Sequence, residues 1–208
     1  MGIVFVDVGV SLDGYMAGPN RGPDNPMGGR AVSIHQWVFE CASFRERLGM
    51  KGGVSGTPDD DLIKRVFARS GANVMGRRMF DEGEVAWPED APFHGPVFVL
   101  THHAREPWVR KGGTTFHFVT DGIESALAQA KAAAKGKDVR ISGGAETIKE
   151  YLDAGHVEEL TLHVAPAMLG EGLRLMDGAG SKKWKFEQVA SSGSALVTHI
   201  TYQIMKEL

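Results

Sequence analysis

Three short segments of this 208-residue sequence bring cationic and hydroxyl side chains together at the end of an apolar run, two of them with glycine. The first is Asn73-Val74-Met75-Gly76-Arg77-Arg78-Met79-Phe80. Gly76 lets the backbone turn closely at the end of an apolar run, and the next amides open a helical turn whose free N–H groups favour an anion. Arg77 and Arg78 add guanidinium forks that match phosphate, although two adjacent arginines also fit a solvated surface. The second segment is Arg140-Ile141-Ser142-Gly143-Gly144-Ala145-Glu146-Thr147. A Gly-Gly pair between strand and helix leaves bare amides for a pyrophosphate, or simply makes a tight turn. It is not a full G-x-G-x-x-G fingerprint. The third is Leu100-Thr101-His102-His103-Ala104-Arg105. Adjacent histidines on an extended loop point apart, so a phosphate-facing donor cluster or a plain surface loop fits better than metal, and no metal site is expected. A lone carboxylate, Asp13, lies in Ser11-Leu12-Asp13-Gly14-Tyr15-Met16-Ala17-Gly18; it reads either as a catalytic acid or as an Asx-turn residue. No G-x-S-x-G elbow, Walker A loop or C-x-x-C is present, so hydrolase and kinase chemistry has no residues to stand on.

Each glycine turn follows an apolar run that reads as a strand, and ligands of open α/β sheets bind at such strand ends. Strands are expected at 3–10, 72–76, 97–101, 115–119, 138–142 and 157–165. The first is nearly all apolar, as a strand buried on both faces must be. Ile34, Trp37, Val38, Cys41, Phe44 and Leu48 recur at helical spacing, predicting one amphipathic helix over 32–48. Thr57-Pro58-Asp59-Asp60 starts another, with a hydroxyl N-cap, proline at N1 and acids in the first turn. Asp121 and Glu124 suggest a capping box for a helix to about Lys135, and Gly143-Gly144 leads into a helix ending at Gly155. The segments 184–190 and 195–205 alternate around Ser192-Gly193-Ser194 as a β-hairpin. The expected fold is a single three-layer α/β domain over 1–208, with a mixed, mostly parallel sheet and a C-terminal antiparallel hairpin.

Composition narrows the function further. The formal charge of −3 argues against a nucleic-acid surface. No stretch nears the roughly 18 apolar residues of a membrane span, and the N-terminus lacks the basic n-region of a signal peptide. The single Cys41 fits a reducing compartment, and a cytoplasmic location is expected. Gly, at 27 residues, is enriched without periodicity and clusters after apolar runs.

In order along the chain, S-L-D-G-Y-x-A-G, M-G-R-R-x-F, V-L-T, S-G-G-A and Ala165-Pro166-Ala167-Met168-Leu169-Gly170-Glu171-Gly172 resemble the riboflavin-biosynthesis reductase domain, within the dihydrofolate-reductase-like superfamily. The resemblance spans nearly the whole chain. It implies a sheet of about eight strands, an NADPH-dependent reductase and a small heterocyclic or ribosylaminopyrimidine-type substrate. It would place Gly76, Arg77 and Arg78 at the cofactor phosphates, Thr101 and His102 at the 2′-phosphate, and Gly143, Gly144 and Ala145 at the pyrophosphate. Ala17 and Gly18, with Ser11 and Asp13, would border nicotinamide and substrate, and Leu169-Gly170 would close the other side. Met79, His102 and His103 depart from the residues common in relatives, so NADH stays open beside NADPH. Folate reductases keep a pterin-binding carboxylate near the region of Asp59, Asp60 and Asp61, but three acids in a first turn read as capping before catalysis. The loop and helix at 19–56 exceed what the biosynthetic domain needs. Dihydrofolate reduction and non-catalytic nucleotide binding are the competing readings. A homodimer is expected through an apolar hairpin face of Leu196, Ile200, Ile204, Val189 and Phe186, flanked by Trp184.

Overall fold

The computed structural model describes residues 2–177 and 184–206. The architecture grows from β1 (Val4–Ser11), all eight residues of which are buried. Strand pleating sends alternate side chains to opposite faces. Val4, Val6, Val8 and Val10 join the cluster beneath α5 (Gly122–Ala133) and α6 (Ala145–Ala154). Phe5 faces the other way, against Trp37, Val38, Leu62 and Ile63. Each such side chain contributes about 1.5–3 kcal/mol on burial.

Around β1 lie β3 (Ser70–Gly76), β4 (Pro96–Leu100), β5 (Trp108–Val109), β6 (Thr115–Val119), β7 (Asp138–Gly143), β8 (Glu159–Ala165), β10 (Trp184–Gly193) and β11 (Thr198–Lys206). They form a nine-stranded sheet in the order β10-β11-β8-β1-β7-β3-β4-β6-β5, one strand more than the resemblance implies. The run from β8 to β6 is parallel, and β5, β10 and β11 are antiparallel to their neighbours. Helices on both faces make the three layers expected from the sequence. A separate two-stranded ribbon pairs β2 (Tyr15–Ala17) with β9 (Leu173–Arg174).

The single helix expected over 32–48 is in fact three pieces. A 3-10 turn covers Gly29–Ile34, then come α1 (Gln36–Glu40) and α2 (Ala42–Arg47), with Cys41 extended between them. The break has a backbone cause: Val54 N–H donates to Glu40 O at 2.7 Å and Ala42 N–H donates to Val54 O at 3.0 Å. An outside strand partner thereby replaces helical bonds, while Trp37, Val38 and Cys41 still point inward.

α3 (Pro58–Arg69) starts as expected, Asp60 N–H donating to Thr57 Oγ1 at 3.1 Å. The acids do more than cap. Asp60 is fully buried and accepts from Ser43 N, Ser43 Oγ and Gly56 N, tying α2 and the preceding loop to α3. At α5 the expected capping box does not form. Asp121 makes no side-chain cap, and Glu124 Oε1 instead meets His156 Nε2 at 2.6 Å. α4 (Arg77–Glu84) follows β3 directly. The hairpin turn lies at Ser194–Val197, a few residues beyond Ser192-Gly193-Ser194, with Ser194 N–H donating to Val197 O. A bulge between Gln188 and Ala190 shifts the register. Leu196 is therefore in the turn rather than on a strand face, and His199 and Val197 are the deeply buried residues.

Candidate active site

The order β7-β3-β4 sets the three sequence-marked turns side by side at one end of the sheet. α4 begins at Gly76 and α6 at Gly144, and neither helix start has a side-chain cap. Free N–H groups from two helices thus converge, a geometry suited to a diphosphate. Gly76 is required there. A Cβ on it would collide with the Thr147 hydroxyl, and would lie 3.8 Å from Gly144 N. Gly143 has φ +137°, and a Cβ there would sit 3.0 Å from Met79 Sδ. Ala145 is buried at the first position of α6.

Arg77 Nε donates to Asp81 at 2.6 Å, and its Nη1 lies 3.5 Å from Thr101 Oγ1, which accepts from His103 N–H. Thr101 is nearly buried, while His102 and Arg78 are exposed, Arg78 reaching Glu146 only at 3.9 Å. The shelf therefore has a carboxylate-paired arginine and a solvent-facing one beside two helix starts.

Next to this shelf opens a cleft of about 490 Å³. Its outer walls are apolar, with Phe39, Phe44, Phe67, Trp87 and Phe93. Its inner end is polar, with Asp7, Arg140, His163 and His35, and Gly143, Gly144 and Ala145 form part of its border. Arg140 Nη2 donates to Asp7 O at 2.7 Å and to Asp7 Oδ1 at 3.1 Å, and His163 Nε2 is also 3.1 Å from Asp7 Oδ1. Burial opposes the Asp7 charge, but His163 and Arg140 outweigh it and hold the carboxyl at about 2. Behind His163, its Nδ1 lies 2.8 Å from His199 Nδ1, and His199 Nε2 lies 3.1 Å from Asp59 Oδ1. Trp37 packs against both imidazoles with ring centroids 4.8 Å apart. Burial, then repulsion from His163, pushes His35 down to about 4, so it is neutral near pH 7.

The loop after β2 folds across the cleft. Gly18 N–H donates to Met27 O, and the Gly18 and Gly28 backbones touch so closely that a Cβ on either would collide with the other. This neck projects Arg21 inward. Its Nε lies 3.5 Å from Glu82 Oε1, and a Cβ on Gly144 would be 3.5 Å from its Nη1. Ala17 is buried and lines the cleft beside it.

Ser11, Asp13, Leu169 and Gly170 form a separate knot. The Asp13 carboxylate accepts from Ser11 Oγ at 2.6 Å, Leu169 N at 3.1 Å and Gly170 N at 2.7 Å. The Ser11 bond leads in holding its pKa at about 2, with the two amides adding against slight desolvation. Asp13 lies outside the large cleft and faces a smaller pocket of about 200 Å³ with Arg174. The geometry gives it the work of clasping the 169–170 turn, a long-range role distinct from both a local Asx turn and an acid aimed at substrate.

Sequence reasoning passed over Asp7, Arg140, His163, Glu82 and Trp37. The signal existed: Asp7, Arg140 and His163 are ionisable residues inside strands read as apolar, and such residues are buried only when paired. What was missing was that all three face the same way.

The described residues include no helix long and apolar enough to cross a membrane. No curated protein matches the sequence. Among solved structures, a putative riboflavin biosynthesis protein from Shewanella sp. PV-4 is similar at 21% identity and TM-score 0.66, covering 98% of this chain and 99% of that one. Dihydrofolate reductase from Enterococcus faecalis, complexed with NADP(H), is 14% identical with TM-score 0.54 over 98% of this chain and 96% of its own. A pyrimidine reductase-like protein from Corynebacterium diphtheriae is 12% identical with TM-score 0.58, over 99% and 93%. At these identities the structures establish a shared fold. The model of the RibD C-terminal domain matches residues 3–198, nearly the whole length, and the chain belongs to that family.

Proposed function

We propose that the protein is a nicotinamide-dependent reductase that transfers hydride to a small heterocycle bound in the cleft, with NADPH as the preferred cofactor. The observation that carries this reading is the convergence of the uncapped α4 and α6 N-termini, at Gly76 and Gly144, beside a cleft with a buried polar end. The site fits a dinucleotide because the two helix starts lie close together, the Gly76 backbone packing so tightly on Thr147 of α6 that a Cβ would collide with its hydroxyl and lie 3.8 Å from Gly144 N.

In this reading Gly76, Gly143, Gly144 and Ala145 hold the pyrophosphate, and Arg77, Arg78, Thr101 and His102 meet the 2′-phosphate. Ala17 and Gly18 border the nicotinamide. A bound reduced nicotinamide supplies the hydride. The chain orients it, and the 18–28 loop excludes water. His163 and Arg140 hold protons at the inner end of the cleft, with Asp7 fixing both.

Titration with NADPH, followed by NADPH oxidation against a panel of pyrimidines, pterins and flavin precursors, tests the proposal. Micromolar binding with turnover of one class is expected. No NADPH or NADH binding at millimolar concentration overturns it.

The protein is further proposed to act as a homodimer. β10 is an outer edge strand, and after Trp184 every residue along it is exposed. A long open edge of this kind calls for cover.

A further inference from the structure

We infer that the buried His163–His199 pair stores the proton that each reduction consumes and passes it to the cleft through Asp7, with Asp59 holding the far end of the pair in place. The inference deepens the reductase reading above and rests on it.

Five side chains from five elements stand in one row: Arg140 of β7, Asp7 of β1, His163 of β8, His199 of β11 and Asp59 of α3. The successive separations are 3.1 Å, 3.1 Å, 2.8 Å and 3.1 Å. Asp7, Arg140 and His163 line the inner end of the cleft, and Asp59 closes the row from the first turn of α3. Its neighbour Asp60 is taken up by Ser43 and the Gly56 amide, a tie within the fold, whereas Asp59 turns to His199. His163 and His199 are 3% and 2% exposed, and Trp37 of α1 packs on both rings. The row, not bulk water, is therefore the path by which the pair exchanges a proton. His35, before α1, and Cys41, between α1 and α2, also face it. Burial, then repulsion from His163, keeps His35 neutral near pH 7. Burial, then the Asp59 charge, pushes the Cys41 thiol up to about 12, so neither competes for the proton.

Charge makes the store refill. With one extra proton in the pair, Arg140, Asp7, the two imidazoles and Asp59 sum to zero. Without it the same buried row carries a net negative charge, and the bare His163 Nε2 turns its lone pair toward the Asp7 carboxylate. Taking a proton back relieves both costs.

The step balances. The substrate carbon that accepts the hydride gives up its π-electron pair to the attached nitrogen or oxygen. The substrate thereby gains two electrons, and the reduced nicotinamide loses them. The nitrogen or oxygen then bonds a proton that leaves Asp7, which draws it from His163 Nε2. The proton between the two Nδ1 atoms settles on His163, and His199 keeps its Nε2 proton facing Asp59. Asp7 meets the substrate; His163, His199 and Asp59 act through it as positioning residues.

NMR of the histidine ring nitrogens in the full chain, titrated across the neutral pH range without ligand, reads the store directly. The two rings are expected to lose one proton together in a single coupled step. Asp59→Asn keeps the shape, removes the charge and is expected to move that step down by about one pH unit. The second readout is NADPH oxidation against the same panel of pyrimidines, pterins and flavin precursors. Above the step, kcat is expected to fall about tenfold per pH unit with KM unchanged, and Asp59→Asn to carry the kcat profile down in pH by the same shift. A merely structural quartet would leave that profile where it is. Both readouts are taken first on the unsubstituted protein, so the proposal is decided even where a variant fails to fold. Independent titration of the two rings, a kcat profile that ignores the step, or NADPH binding with no panel member reduced overturns the proton store. A coupled step with no binding of NADPH or NADH overturns the reductase reading instead, and with it the use of the stored proton.

Discussion

His163 Nδ1 lies 2.8 Å from His199 Nδ1, so only one of these two nitrogens carries the proton between them. Their outer nitrogens each face a carboxylate at 3.1 Å, His163 toward Asp7 and His199 toward Asp59. Both carboxylates receive a donor only when the pair holds one extra proton. Burial and the neighbouring His163 push the His199 pKa down. His199→Phe removes the partner of His163 Nδ1 and of the Asp59 carboxylate in the interior. A loss of about 2–4 kcal/mol is expected in urea unfolding. A change under about 0.5 kcal/mol, within the range of ordinary surface substitutions, would count against the hydrogen-bonded quartet.

Arg77→Ala is expected to weaken NADPH about tenfold and NADH much less, because Arg77 and Thr101 stand together at the end of β3 and β4. Equal weakening of both cofactors, read by isothermal titration, would move Arg77 away from the 2′-phosphate.

Gly144→Val is expected to abolish nicotinamide cofactor binding while circular dichroism and Tm stay close to the parent, since its φ of −74° suits any residue. Gly143→Val is the harsher change: φ of +137° and the Met79 contact strain the turn itself, so stability should fall as well. Retained affinity in a folded Gly144→Val protein would leave the turn a purely structural one.

His35 gives a stability change with a definite sign. Its pKa is about 4 in the folded chain against 6.5 in a free side chain. The unfolded chain therefore takes up the proton first as pH falls. Stability is full above pH 6.5 and declines from there toward pH 4, by an amount on the order of 1–3 kcal/mol. His35→Gln should flatten this part of the stability–pH curve in chemical denaturation. An unchanged slope would refute the assignment.

Light scattering at micromolar concentration is expected to give the mass of a dimer. Phe186, 42% exposed on the edge strand, is a cleaner probe than Ile200, which is half-buried against the sheet. Phe186→Asp should yield a folded monomer, and Ile200→Asp either a monomer or a loss of stability. A monomeric parent protein refutes the dimer.

The glycine turns and the strands that precede them were legible from local chemistry. Gly76 and the Gly143-Gly144 pair follow apolar runs, and runs of this kind become buried strands whatever else surrounds them. Thr57-Pro58 likewise announced α3, because N-capping is decided within a few residues. Other features depended on partners distant in sequence. The break at Cys41 comes from a strand contact with Val54, and the lost capping box at Asp121 accompanies a bond from Glu124 to His156. The polar end of the cleft is the clearest case. Asp7, Arg140 and His163 lie on three strands, and nothing in their local sequence says that they share a face. Parallel pairing of β1 with both β7 and β8 decides it, since register sets which side of the pleat each residue takes. Asp13 shows the converse. Its position after a buried strand was readable, but its partners were two backbone amides more than 150 residues away, and only the folded chain brings them to its carboxylate.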